Sequence, residues 1–314
     1  PDRKRYLLVP EGQPVPKGLD EDVSILQEPL QNIYLVASGV MDMFASVDAV
    51  DQIRFSGQKQ ENWYIQTAKD AMAAGDMIYA GKYSKPDYEL LVSEGCDLAI
   101  ENRMITHSPE VVEMLQSFDI PVMIEYSSYE QHPLGKVEWV KFFGALTGKE
   151  AEAEEAFAEQ TEILEEVESG EKTGKTIAFF YVTSNGLIQV RQSTDYIPKL
   201  IELAGGRYIF EDLEDSGSGR STLNMQVEDF YAGAKDADIL IYNSSIDGGV
   251  TTLDELIGKC NILKDFKAVQ EGQVYCTTND MYQQSMAIGY LLQDMHTVLT
   301  DDDTAKLRYL FLLQ

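Results

Sequence analysis

Glu150–Glu168 reads EAEAEEAFAEQTEILEEVE, and its reading divides the chain. Nine of these 19 residues are Glu, and none is Lys, Arg, Gly or Pro. Phe157, Leu164 and Val167 recur at roughly helical spacing, which makes a narrow apolar stripe on an otherwise charged helix. At a rise of roughly 1.5 Å per residue the helix spans about 28 Å before Ser169–Gly170 ends it. The stripe is too short to favour a coiled-coil partner. A solvated helix that bridges two lobes fits the pattern better.

On the N-terminal side, short apolar runs alternate with helical patterns. Ile33–Ala37 (IYLVA), Cys96–Ile100 (CDLAI) and Ile120–Ile124 (IPVMI) read as strands, with Pro121 suited to a strand entrance. Helical segments are expected around Val40–Phe44, over Trp63–Ala74 up to Gly75, over Asp87–Ser93 and over Val137–Leu146. Ser108 is expected to cap the helix SPEVVEMLQSF, with Glu110 in its first turn.

The same rhythm restarts after the acidic helix. Thr176–Val182 (TIAFFYV), Leu187–Val190, Asp238–Tyr242 (DILIY) and Val274–Thr277 read as strands. Ser193–Ala204, Val227–Ala234, Leu263–Val269 and Tyr282–Val298 read as helices. The alternation predicts an α/β chain: an N-terminal lobe over 1–147, the acidic helix over 148–172, and a C-terminal lobe over 173–314.

Totals narrow the function. Fifty-three acidic residues against 25 basic ones give a net charge of −28, which repels a phosphate backbone and excludes nucleic acid as a natural partner. No run approaches the ~18 apolar residues that span a bilayer. The chain opens at Pro1, so we expect a trimmed or processed product, from which any leader or anchor cysteine would have been removed.

Catalytic templates are missing: there is no GxSxG elbow, GxxxxGKS/T loop, HExxH, or GxGxxG after a strand. The loop Asp215–Arg220 (DSGSGR) lacks the helix and Lys of a phosphate cradle. Cys96, Cys260 and Cys276 form no CxxC pair, and His107, His132 and His296 are scattered, which disfavours a metal site. We therefore expect no enzyme, no metal and no resident cofactor.

Aromatic residues and arginines near strand ends are the candidate ligand contacts, because an α/β sheet receives ligand at its carboxyl edge. In the first lobe these are Tyr83 and Tyr126, with Trp63 at an expected helix start and Arg103 in a loop. In the second they are Tyr181, Tyr196, Asn243 and Tyr282, with Arg191 and Arg220 as candidates for an anionic ligand. Each arginine has an equal alternative in a salt bridge to the abundant carboxylates.

Pro86–Ile100 (PDYELLVSEGCDLAI) resembles the solute-binding proteins of iron-siderophore, haem and cobalamin ABC importers. The segment IPVMIEYSSYEQHPLGKVEWVKFFGALTGKE is similar to the part of that family leading into its long helix. DYIPKLIELAGG and QVEDFYAGAKDADILIYN look like its later helix–glycine and helix–strand units. The resemblance runs from about Ile33 to Val298, and the order and spacing of the segments carry it.

The resemblance implies two Rossmann-like lobes bridged by a single long α-helix, with the ligand held between the lobes. It implies an extracytoplasmic monomer, periplasmic or lipid-anchored on the outer face of the cell membrane, that serves a membrane permease. It also implies one exposed permease-docking carboxylate on each lobe: Glu89 and Glu228, with Asp229 the rival of the second. The loop arginines tilt the cargo towards a ferric siderophore. Haem, with Tyr83 or Tyr181 as axial ligand, and cobalamin stand behind it. A metal-cofactor-processing enzyme on a related scaffold is the alternative from another class.

Overall fold

A computed structural model describes residues 4–214, 221–246, 249–302 and 304–314. Arg220 and the DSGSGR loop lie outside the described residues. The chain divides into two compact units: unit 1 is 1–127 with 138–157, and unit 2 is 128–137 with 158–314. The acidic segment is one helix, Glu150–Glu168, as its sequence predicts.

Unit 1 is built on five parallel strands in the order Ile78–Tyr79, Phe55–Ser56, Ile33–Leu35, Leu98–Glu101, Val122–Ile124. By chain position this order is 3-2-1-4-5, the doubly wound pattern. The switch in direction falls between Ile33–Leu35 and Leu98–Glu101, both buried along their whole length. Burial on both faces explains why these strands read as continuous apolar runs and not as alternating ones. Tyr34, Val36, Phe55, Ala99 and Leu115 share one core cluster.

Unit 2 carries a mixed sheet in the order Thr222–Met225, Ile188–Arg191, Thr176–Val182, Ile239–Tyr242, Val274–Thr277, Leu310–Leu312. The central three strands are parallel and the flanking ones antiparallel. The short strand Arg207–Tyr208 runs parallel to the start of Thr176–Val182. Side chains alternate along these strands. Phe180, Val190 and Tyr242 join one core cluster with Phe230 and Phe266. Phe180 and Phe230 have ring centroids 4.9 Å apart, and Phe230 stacks on Phe266 at 5.5 Å. Each such buried ring contributes roughly 1.5–3 kcal/mol. The intervening residues Phe179, Arg191 and Asn243 are thereby turned to the opposite face.

Several expected boundaries move, each for a local reason. The helix expected from Trp63 begins at Gln66; Trp63 has extended backbone and ends a short 3-10 turn. The helix expected from Ser193 begins at Tyr196, because the Asp195 side chain caps it by accepting from the Ile197 N–H at 3.0 Å. Ser108 occupies its expected cap position but makes no side-chain cap bond, and Pro109 starts the helix. The helix expected from Tyr282 begins at Ile288, since the Asp280 carbonyl accepts from the N–H groups of Gln283 and Gln284 and closes a turn there.

Elements outside the sequence reading include the parallel pair Arg5–Val9 and Val23–Gln27, the strands Phe55–Ser56, Ile78–Tyr79, Arg207–Tyr208, Thr222–Met225 and Leu310–Leu312, and the helix Leu253–Lys259. Thr252 and Glu255 form a full capping box on that helix.

Candidate ligand-binding site

In unit 1 the carboxyl edge at the switch point is occupied by an acid. Glu101 closes the Leu98–Glu101 strand with 0% exposure, and neither carboxylate oxygen has a hydrogen-bond partner. Burial alone pushes its carboxyl up to about 8, so the group is protonated at neutral pH. The phenol of Tyr34 faces it and donates to the Gly81 carbonyl at 2.8 Å. Burial, with Glu101 beside it, raises that phenol well above its ordinary value. On the adjacent strand end, buried Glu125 accepts from the Ser127 N–H at 2.8 Å and from its hydroxyl at 2.6 Å.

The unit 1 candidates are spread around this edge. Arg103 begins the 3-10 turn that follows Glu101 and is half-buried. Tyr83 packs partly buried against the core cluster, and Tyr126 is exposed. Trp63 is a core residue at 1% exposure, and its indole N–H donates to Ser56 Oγ at 3.1 Å.

In unit 2 the switch point lies between Thr176–Val182 and Ile239–Tyr242, and the sequence candidates converge beside it. Arg191 Nη2 donates to the Tyr282 hydroxyl, and Asn243 Nδ2 donates to the same oxygen at 2.6 Å. The guanidinium sits over the rings of Phe179 at 5.8 Å and Tyr282 at 5.5 Å. Asp195 Oδ2 lies 3.4 Å from Arg191 Nη1. Burial works against the charge on Arg191, but Tyr282 and Asp195 outweigh it and hold its pKa above the usual value. Tyr208 clamps the Arg191 backbone, accepting from its N–H at 3.0 Å and donating to its carbonyl at 2.8 Å.

Tyr181 is half-buried, with its ring 6.2 Å from that of Tyr242. Tyr196 is buried at the start of its helix, with Lys136 Nζ 5.0 Å from the ring centroid. A cavity of about 370 Å³ adjoins the cluster through Asp195, within the 300–1,000 Å³ range typical of small-molecule sites. Its charged walls are Asp195, Lys199, Glu202, Arg207 and Glu211.

The 36–281 stretch of this chain matches the family model described as periplasmic binding protein. The chain belongs to the periplasmic binding protein family. An uncharacterized lipoprotein of Methanocaldococcus jannaschii is 25% identical to this binding protein, over 94% of this chain and 72% of the relative. A possible iron-binding periplasmic solute-binding protein from Staphylococcus epidermidis superposes with a TM-score of 0.65 at 17% identity, covering 86% of this chain and 98% of that one. The periplasmic heme-binding protein of Vibrio cholerae gives 0.66 at 14% identity, covering 85% and 98%. The family read from the quoted segments is the one found, and the two-lobed fold follows with it.

Sequence reasoning overlooked Glu101, Asp195 and Tyr208. A legible signal existed for the first two: LAIE closes a buried apolar run with a charge, and Asp195 precedes a helix as a good cap. Tyr208 has no local signal, since its role depends on the pairing of Arg207–Tyr208 with a distant strand. The thiol of Cys96 is pushed up to about 12 by burial, which suits a packing residue. Cys260 and Cys276 belong to the unit 2 core.

Proposed function

We propose that this binding protein is extracytoplasmic, captures an iron chelate (a ferric siderophore in the first instance), and delivers it to the permease of an ABC importer. One observation carries the reading. Arg191, Asn243 and Tyr282, far apart in sequence, meet on a single phenolic oxygen beside the switch point of unit 2, where an α/β sheet receives ligand. Tyr181 extends the contact surface on that unit, while Tyr83, Arg103 and Tyr126 serve unit 1. Trp63 and Tyr196 are both buried and serve this reading only as support within their own units.

Localisation outside the cytoplasm is supported by the lipoprotein relative. Among the described residues no helix is long and apolar enough to cross a membrane. Glu89 and Glu228 both lie exposed in the first turn of a helix, one on each unit, and are the docking carboxylates in this reading. The protein performs no bond chemistry; its work is differential affinity between capture and release. Haem is the second reading, favoured by Tyr181 at the carboxyl end of its strand.

The test is calorimetric titration of the purified protein with ferric siderophores, haem and cobalamin. Saturable one-to-one binding of a ferric siderophore at micromolar or tighter affinity is expected. Tight binding of haem or cobalamin alone moves the cargo, and silence across the whole panel overturns the reading.

A further inference from the structure

The cavity of about 370 Å³ lies wholly within unit 2, with walls from Gln131 and from the segment 193–211. Two residues of its wall, Arg207 and Tyr208, pair with Thr176 and Ile177, the first residues of the Thr176–Val182 strand. The cavity therefore extends along the amino end of that strand, away from the carboxyl edge where an α/β sheet receives its usual ligand.

Five charged side chains line it: Asp195, Lys199, Glu202, Arg207 and Glu211. Asp195 is committed to the Ile197 N–H and to Arg191, and Lys199 holds Glu202 at 2.9 Å. Arg207 and Glu211 remain. Among the described residues, neither side chain makes a hydrogen bond or an ion pair, with the other or with any third group. Other lysines of the unit do not line the cavity and are engaged elsewhere. Lys136 lies over the Tyr196 ring at 5.0 Å, Lys172 donates to the Leu203 carbonyl at 2.9 Å, and Lys175 pairs with Asp301 at 2.5 Å.

A lone cation and a lone anion thus share one cavity. Counting Arg191, the site balances three bases against three acids, so neither a simple anion nor a simple cation is favoured overall. An anion on Arg207 leaves Glu211 unanswered, and a cation on Glu211 leaves Arg207 so. Both charges are also held in place: the Arg207 N–H donates to the Lys175 carbonyl at 2.9 Å, and Phe210, next to Glu211, has its ring 5.9 Å from that of Phe230. Fixed walls lower the ordering cost of binding. The hydroxyls of Ser193 and Thr194 and the amide of Gln131 line the same space with no partner among the described residues.

We infer that this cavity is a second ligand site, for a small zwitterion of the α-amino acid class with a polar, uncharged side chain. Arg207 takes the carboxylate, Glu211 takes the ammonium, and Ser193, Thr194 and Gln131 meet the side chain. The inference goes beyond the chelate reading and does not rest on it.

The experiment titrates the chelate-free protein with L-serine, L-asparagine and L-glutamine by calorimetry at 0.15 M salt. Saturable one-to-one binding of at least one of them is expected, at about 0.1 mM or tighter. The N-acetyl derivative of that amino acid lacks the ammonium, and its amide lacks the carboxylate; each should bind at least tenfold more weakly. Arg207→Gln and Glu211→Gln should each weaken the amino acid at least tenfold. Both residues are exposed, so the variants should melt within a few degrees of the parent. Arg207→Gln should also narrow the gap between the amino acid and its amide, which a merely structural role for the arginine would not do. Silence from all three amino acids overturns the inference, as does equal binding of the N-acetyl derivative or the amide, or unchanged affinity in either variant. No chelate enters these titrations, so their failure leaves the chelate reading standing, and failure of the chelate panel leaves this site standing.

Discussion

Asp195 uses its two oxygens for different tasks: Oδ1 accepts from the Ile197 N–H at 3.0 Å and caps a helix, while Oδ2 stands 3.4 Å from Arg191 Nη1. Both side chains are buried. One carboxylate thus fixes where the Tyr196–Leu203 helix begins and compensates the buried cation beside Tyr282. The position of the arginine is set from both sides, since Tyr208 holds its backbone.

The two tasks separate by substitution. Asp195→Asn keeps a cap oxygen but leaves Arg191 with an uncompensated buried charge, which costs about 3 kcal/mol. Asp195→Ala loses the cap too, at about 1 kcal/mol more. Urea unfolding of the two variants and the parent measures the difference. Equal stability of Asp195→Asn and the parent would mean that the pair contributes nothing to the fold.

Glu101 makes stability depend on pH in an uncommon direction. Its unfolded-state pKa is the ordinary glutamate value, about 4.3, and its folded value is raised to about 8. Between these limits the folded state binds more protons than the unfolded state. Its contribution is therefore full below about pH 4.3 and is lost as pH rises through the window towards 8, by about 1.4 kcal/mol for each unit at the steepest. The groups facing it are the phenols of Tyr34 and Tyr88, which offer no compensating charge. Glu101→Gln should flatten this slope. Unfolding free energies of both proteins from pH 5 to 8.5 provide the check, and parallel curves would refute it.

Much of the fold was legible because its elements are long or cleanly bounded. Thr176–Val182 and Val227–Ala234 match their sequence reading to the residue; the first is a continuous apolar run, and the second carries Glu228 and Asp229 in its first turn. Two-residue strands such as Phe55–Ser56 carry no period and exist only through their partners. The Leu253–Lys259 helix was missed although Thr252 and Glu255 spell out its capping box, because seven residues show too little periodicity to attract notice. In the site, residue types were legible but their pairings were not. Arg191 and Tyr282 are 91 positions apart, and only the sheet brings them together.

Gly81 illustrates a constraint that no pattern displays. Its φ is +90°, and a Cβ there would stand 2.3 Å from the Lys85 carbonyl oxygen and 2.9 Å from Pro86 Cα. Both obstacles are backbone, so neither can swing aside. Its own carbonyl also accepts from Tyr34, next to Glu101. Gly81→Ala should cost about 3 kcal/mol through strain and displacement of the antiparallel pair that Gly81–Lys82 forms with Lys85–Pro86. Thermal melting is sufficient to measure it, and a melting temperature within a degree of the parent would show that the turn can open.

Glu89 and Glu228 are exposed in the first turns of Tyr88–Ser93 and Val227–Ala234, where an acid is favoured by the helix dipole at about 0.3–1 kcal/mol. That local benefit alone explains an acid at each site, so stability cannot reveal docking. Uptake can. The double variant Glu89→Ala and Glu228→Ala should keep the ligand affinity of the parent and melt within a few degrees of it. Ligand uptake into vesicles carrying the permease should be lost. Charge-driven docking also weakens with ionic strength, so parent uptake should fall between about 0.05 and 0.5 M salt as screening shortens to a few ångströms. Asp229 shares the first turn with Glu228. If Asp229→Ala abolishes uptake and Glu228→Ala does not, the docking carboxylate of unit 2 is Asp229. If the double variant transports like the parent, these carboxylates serve only their helices.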